Sequence, residues 1–542
     1  MPATPLSASS TQSSIDRTAS EPVDVLVVGS GIAGVTAAIE AAHAGAQVVL
    51  TSLGSCFSGS SFYPGTWGLG LIAPADEADA DDLASTICTV GCDVADRELV
   101  TSFVAGIAPA IAWLEDLGVR LKRPAGAESA QETAFIPCFD HKHRAWYGLV
   151  RESMEAAFAC ELKRLGVRVW EHTELVELVQ NDDGAIVGAT LFDHQSARLF
   201  SLRCGAVVLA TGGTSGLFER RLTSGDVVSS VQGIAAHHGC SLVNIEFMQM
   251  MPGLIAPCRG LVFNEKSFRY AQTQPPLSYD LLCLRSTYGP FTSRLTSRAV
   301  DFAIDAAGPA GMPLTYQFPT QDVPEFVRTF STWLEEEHGI SPTDELRIAL
   351  YAHASNGGIR IDGTGWTGVP GLYACGEATG GMHGADRIGG LSSANGLVFG
   401  RSAGSAAARY AREHPARTAT HDAPRDVASR TSRGIDQAEA ASILETLRHT
   451  MSTYAMVNRT ADGLSRAHDT IETLANQLER HAKTDAPASA CATRLRLAGE
   501  LTLARLMVEA MYERRESRGS HHRSDYPSED PAQARMMPKG VR

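Results

Sequence analysis

Two rhythms of apolar residues alternate along the chain. Val23-Asp24-Val25-Leu26-Val27-Val28 is a β-branched run of strand length, and Val35 to Ala44 after it carries helical spacing. Gln47 to Leu50 reads as a second strand. Residues 80–120 read as helical, with Asp81-Asp82 as a charged start and apolar spacing from Val104 to Leu117. Val167 to Val179 reads as a strand pair or strand-turn, and Ala185 to Leu191 as an arm of a β-hairpin. Cys204 to Leu209 is a buried strand that ends at the small residues Ala210-Thr211-Gly212-Gly213. Late in the chain, Gly371-Leu372-Tyr373-Ala374-Cys375 is a short apolar strand. Ser392-Ser393-Ala394-Asn395 then favours a helix start, and an apolar run continues to about Ala408. Residues 438–518 carry long helical periods, as in Ala490 to Tyr512. Two stretches fit neither rhythm: the Gly- and Ser-rich segment 54–70, and a Pro-, Thr-, Asp- and Arg-rich linker from about His414 to Gln437.

Composition narrows the class. A chain of 542 residues argues for two or three domains, and 44% apolar with 20% charged residues is ordinary for a globular protein. The net charge of -14 argues against a nucleic-acid partner. The runs of apolar residues look too short to span a bilayer, so no direct membrane span is expected. Residues 1–20 lack the apolar core of a signal peptide and read as a disordered tail. The eleven cysteines are scattered, and the closest pair, Cys88 and Cys92, has no second pair to complete a metal site. Free thiols in a reducing, cytoplasmic setting and no metal are the expectation.

Three motifs carry chemistry. Gly29-Ser30-Gly31-Ile32-Ala33-Gly34 sits between a strand and a helix, which makes it a dinucleotide fingerprint. Gly29 makes the tight turn, Gly31 admits a pyrophosphate, and Gly34 lets helix and strand pack. The second strand ends in Thr51-Ser52, so a hydroxyl takes the place of the usual ribose-binding acid. Glu377 stands at the C-terminal end of the late strand, where a carboxylate can accept from a sugar or ribityl hydroxyl. The helix start after it offers free N–H groups to an electron-rich ligand edge. Taken alone, each has a plainer reading: a βα turn, a surface loop, a strand after a turn.

Together, GSGIAG, VVLATGG and VPGLYACGEATGGMHGADRIGGLSSANGLVFGR resemble the fumarate reductase/succinate dehydrogenase flavoprotein family, to which L-aspartate oxidase belongs. Ser224-Gly225-Asp226 before a helix, Ile245 to Gln249, and Glu516 to Pro527 extend the resemblance over most of residues 22–530. It implies an α/β fold: a split Rossmann-like FAD-binding domain (22–238 and 355–412), an inserted α+β capping domain (239–354) and a C-terminal helical domain (438–530). It implies FAD, held by Gly29, Gly31, Ile32, Ala33, Gly34, Thr51, Ser52, Ser60, Ser61, Gly65, Gly68, Ala210, Thr211, Gly212, Asp226, Glu377 and Ser392. Ser60 and Ser61 stand where some members carry a flavin-linking histidine, so noncovalent binding is expected.

By the same resemblance Arg294 shuttles a proton, while His353 and Arg387 hold a substrate carboxylate. The chain also departs from the family. Met251 stands for a substrate-contacting histidine, and Ile255-Ala256-Pro257-Cys258-Arg259-Gly260-Leu261, after a deletion, lacks the relay glutamate. Glu265 and Lys266 are candidates to replace it. The expectation is an oxidoreductase that exchanges a hydride between flavin and a small carboxylic acid, fumarate-reductase-like or L-aspartate-oxidase-like. A flavin-binding subunit with altered or lost catalysis is the second reading. An electron acceptor or an iron–sulfur partner is left open.

Overall fold

The computed structural model describes residues 21–123, 144–318, 323–341, 343–416 and 431–541. The tail at 1–20 and residues 417–430 of the linker lie outside them. The first strand, β1 (Val23–Val28), is buried, runs into the helix α1 (Ile32–His43), and returns in β2 (Val48–Thr51), parallel to β1.

Two helices follow, α2 (Glu77–Val90) and α3 (Arg97–Asp116). The first starts earlier than Asp81-Asp82. Asp76 caps it by accepting from the N–H of Asp79, and Asp79 and Asp82 bind Arg144 instead. By length and composition α3 could cross a bilayer, contrary to the reading of the apolar runs. In this fold Phe103, Ile107, Ile111 and Leu114 of α3 lie in the core.

Next come β3 (Arg168–Trp170), β4 (Thr173–Gln180), β5 (Ile186–Asp193) and β6 (Arg198–Leu209). The last is longer than its apolar part because it serves two sets of neighbours. Its first half pairs antiparallel with β5, and its second half pairs parallel with β1. A short helix, α4 (Val231–His237), leads out of this layer.

A second sheet is antiparallel. Its strands are β7 (Met248–Ala256), β8 (Ala271–Thr273), β9 (Met312–Tyr316) and β10 (Leu346–Ser355), in the order β7-β10-β9-β8. The chain then returns to the first sheet. β11 (Leu372–Ala374) pairs parallel with the second half of β6 on the edge opposite β1, next to the start of β5, and extends the order β3-β2-β1-β6.

The helix α5 (Leu391–Glu413) follows and packs along α1. Gly396, Gly400 and Gly404 make that approach possible. A Cβ on them would lie 2.8 Å from Ile32 Cγ2, 2.7 Å from Ala33 O and 2.2 Å from Ala37 O. Their spacing of four puts them on one face of α5.

Three helices, α6 (Gln437–Tyr454), α7 (Ala461–Arg480) and α8 (Ala488–Glu513), pack on one another. The segment after α8 runs through the interior. Arg514 Nε donates to Glu246 Oε1 at 2.7 Å, and Glu516 Oε1 accepts from both Arg514 and Arg518. Arg518 Nη1 also reaches Cys92 O, and Ser520 Oγ reaches Ala385 O.

Candidate active site

The end of β1 is built for close approach. Gly29 turns with φ 105°, and a Cβ there would lie 2.3 Å from Ala210 O. A Cβ on Gly34 would lie 1.8 Å from Gly29 O, so α1 rests directly on the turn. Gly31 differs from both: its Cβ would meet nothing nearer than Ser58 O at 3.6 Å, and the residue lines an open cavity.

That cavity, about 2150 Å³ with its mouth included, brings most of the expected residues together. Gly29, Gly31, Ile32, Ala33, Thr51, Ser52, Ser60, Ser61, Gly68, Ala210, Thr211, Gly212, Asp226, Glu377 and Ser392 all line it. Gly34 and Gly65 do not. Gly34 packs beneath the turn, and Gly65 admits the Tyr63 ring and Gly260 O, each 2.5 Å from where its Cβ would stand.

Two helices aim their N-termini at this cavity. Gly31 caps α1 and Gly390 caps α5, and neither helix has a side-chain cap. The start of α5 is thus Gly390, with φ 78°, and Ser392 falls in the first turn. First-turn N–H groups and the positive ends of both helices suit phosphate and other anionic groups.

The polar lining fits FAD. Thr211 Oγ1, Asp226 Oδ1 and Ser230 Oγ are buried without a protein partner. Buried polar atoms of this kind call for a ligand. Glu377 Oε1 accepts from Ser355 N at 2.9 Å, and burial pushes this carboxyl up from its ordinary value. Ser30 Oγ donates to Ser52 Oγ at 2.8 Å, so hydroxyls do stand at the end of β2. Glu174 lines the cavity too, its carboxylate held by Arg496 and by His194 at 2.9 Å. Its meaning depends on α8, far along the chain, and the local signal was only an acid in an apolar strand.

In the same cavity Arg387 and His353 come together. Arg387 donates to Gln249 Oε1 from Nε at 3.2 Å and from Nη2 at 2.9 Å. The register between β7 and β10 skips His353: Gln249 pairs with Ala354 and Met250 with Ala352. Such a bulge re-aims a side chain. Burial, then the charge of Arg387, pushes His353 down to about 3, which leaves it neutral, and its Nδ1 has no protein partner.

The same cavity is lined by Met251, Leu222 and Val262, part of an apolar cluster with Ala349 and Tyr351. Ile255 and Ala256 do not line the cavity. The shortened loop instead carries Val262, whose N–H donates to Gly65 O at 2.8 Å, and then Asn264, Glu265 and Lys266 into the lining.

Arg294 is not brought into the site. Thr292 Oγ1 donates to Asp386 at 2.8 Å and Ser293 N to Gly519 O at 2.7 Å. These contacts turn the segment so that Gly289 and Pro290 reach the cavity, while the Arg294 guanidinium donates to Val90 O.

Known proteins are similar to this chain in sequence and in fold. The FAD binding domain family matches residues 24–266 and 298–393, and the fumarate reductase flavoprotein C-terminal family matches residues 444–536. L-aspartate oxidase of Streptomyces coelicolor is 29% identical, over 94% of this chain and 89% of the relative. The fumarate reductase flavoprotein subunit of a Serratia species is 27% identical, over 93% of this chain and 89% of its own. In fold, Sdh1 of Mycobacterium smegmatis, solved with UQ1, superposes with a TM-score of 0.77 at 23% identity, covering 94% of this chain and 90% of that one. The chain belongs to the fumarate reductase/succinate dehydrogenase flavoprotein family of FAD-dependent oxidoreductases.

Proposed function

We propose that the protein oxidises or reduces a carboxylic acid bound through one carboxylate by Arg387 and His353, with its other end against an apolar wall. The carrying observation is that this anchor and the residues Met251, Leu222 and Val262 line one cavity. FAD, when bound, supplies hydride exchange at N5. The protein's own part is orientation. Gln249 steadies the Arg387 guanidinium by accepting from two of its nitrogens, so its fork is set for a carboxylate. Neutral His353 can exchange a hydrogen bond with a carboxylate oxygen without adding charge. The apolar wall excludes water and offers nothing to a second carboxylate, whose unpaired burial is costly.

The L-aspartate oxidase and fumarate reductase relatives act on dicarboxylates by their names, and this cavity argues for a different acid. Ser60 and Ser61 in the lining support noncovalent FAD. The Serratia relative is named as a subunit, and a protein that accepts the electrons, iron–sulfur or other, is the corresponding proposal here. The scattered cysteines support a cytoplasmic setting.

The test is anaerobic mixing of the holoenzyme with monocarboxylates, dicarboxylates and amino acids. The expected result is bleaching of the flavin band at about 450 nm by a monocarboxylate. A tenfold preference in kcat/KM for a dicarboxylate of equal length, about 1.4 kcal/mol, overturns the reading.

A further inference from the structure

The strand β7 lies at the edge of its sheet, and two stretches of chain dock on it. Leu254 N donates to Leu261 O at 2.8 Å and Phe263 N to Pro252 O at 3.2 Å, so the chain after the shortened loop runs back along β7 toward Met250. At Met250 a second stretch takes over, where Phe291 N donates to Met250 O at 2.8 Å. Met250 stands between Gln249, which holds Arg387, and Met251, which lines the cavity. The first stretch goes on to Asn264, Glu265 and Lys266, and the second comes in through Gly289 and Pro290, all of which line the cavity. The hydrogen bonds to β7 stop short of these lining residues.

Arg285 reaches both stretches. It ends the short helix Tyr279–Arg285 and is fully buried. Its Nη1 donates to Tyr288 O and its Nη2 to Gly289 O at 2.9 Å, which fixes the turn that leads into Pro290. Its guanidinium also lies over the ring of Phe268, 5.4 Å from the centroid, in the turn Glu265–Tyr270. Burial pushes the Glu265 carboxyl up, and the charge of Arg285 is among those that oppose this. Arg269 Nε donates to Ser286 Oγ at 3.3 Å, a second tie between the same two stretches. Asp301, in the first turn of the helix Arg298–Ala306, sets the direction of the fork by accepting from Nε and Nη2, each at 2.9 Å. A buried ion pair alone can often be replaced by apolar side chains at little cost. Here an apolar pair would also leave Tyr288 O and Gly289 O without their donor, and the lining without its tie.

We infer that Arg285, oriented by Asp301, is a positioning residue for the substrate: it holds Glu265–Lys266 and Gly289–Pro290 together as one wall of the cavity. This rests on the reading of that cavity as the site of the acid. A wall of this kind acts on the bound acid and on the transition state alike, so its loosening raises KM more than it lowers kcat.

The test is hydrogen–deuterium exchange of the holoenzyme, read by mass spectrometry, in two variants. Arg285→Met with Asp301→Leu removes the pair without leaving a lone buried charge. Arg285→Lys keeps a charge opposite Asp301 but not the fork, and it serves if the double variant fails to fold. In both, exchange is expected to quicken about tenfold or more in residues 263–270 and 286–293 together, with residues 23–43 and the flavin content unchanged. The same proteins are then mixed anaerobically with acetate, butanoate, crotonate, succinate and L-aspartate. For the acid that bleaches the parent fastest, the half-saturating concentration should rise about fivefold or more while the limiting rate stays within about threefold. Exchange that quickens in neither stretch, or in only one, overturns the inference. Quicker exchange in both with unchanged half-saturation overturns it too, because the role is then structural alone. If no acid bleaches the parent, the reading of the acid falls, and exchange by itself decides whether Arg285 holds the wall.

Discussion

Arg387 decides whether the substrate is held as proposed. Arg387→Ala should keep its flavin, because the FAD contacts lie elsewhere in the cavity, and should weaken carboxylate binding by about 2–5 kcal/mol, the scale for removing one partner of a buried charge pair. Unchanged saturation curves would remove Arg387 from the site. His353 makes a pH prediction. Its proton is lost near 3 in the folded protein, well below the ordinary histidine value, so it stays neutral from about pH 4 upward. Substrate affinity should then show no step between pH 5 and 8 that His353→Gln abolishes. Asp386 shifts the other way. Burial raises its carboxyl to about 7, against the opposing hydrogen bond from Thr292 and the charge of Arg294. The folded state therefore keeps a proton that the unfolded chain releases, and stability falls as pH rises from about 4 to 7. Asp386→Asn should remove that fall, with a Tm a few degrees above the parent at pH 8 and close to it at pH 4 by scanning calorimetry. His353, Arg387 and Glu377 were legible because each is tied to a strand end or a short loop with its own local pattern. Arg294 was not. Whether it faces the cavity is set by Thr292 with Asp386 and by Ser293 with Gly519, contacts between segments distant in sequence.

The elements were easier to read than the faces they present. A buried β-branched run such as Val23–Val28 has one stable use, and β1 occupies it. The length of β6 was hidden because its first half, Arg198–Arg203, mixes polar with apolar residues and is partly exposed, and hairpin pairing rather than burial makes it a strand. The row Gly396, Gly400 and Gly404 was also missed. Its meaning appears only when α1 lies against it. The fingerprint glycines make a paired prediction at this scale. Gly31→Val should fold normally, with native circular dichroism, and emerge without flavin, since it lines the cavity and its Cβ meets nothing nearer than Ser58 O at 3.6 Å. Gly34→Ala should fail to fold, because its Cβ would lie 1.8 Å from Gly29 O. A yellow Gly31→Val protein would sink the pyrophosphate assignment.

Across the whole molecule, the segment after α8 ties distant parts together. Glu246, ahead of β7, is fully buried and bonded to Arg514, and the same segment reaches Cys92 and Ala385, two residues before Arg387. Glu246→Gln strips a charge from this buried pair and should cost about 3 kcal/mol in urea unfolding. Substrate affinity should weaken with it, because the loop that carries Arg387 loses part of its support. A loss of stability with unchanged affinity would separate the two. The pairing of β6 with β11 bears on how the protein is made. Chains leave the ribosome from the N-terminus, so β1, α1 and β6 exist well before the strand that completes their sheet. Until β11 and α5 emerge, Glu377 and the second helix N-terminus are missing, and α1 has no Gly-rich partner to pack against. A nascent chain halted before residue 370 should therefore bind no FAD, and yellow colour on stalled ribosomes should first appear once α5 has cleared the exit tunnel.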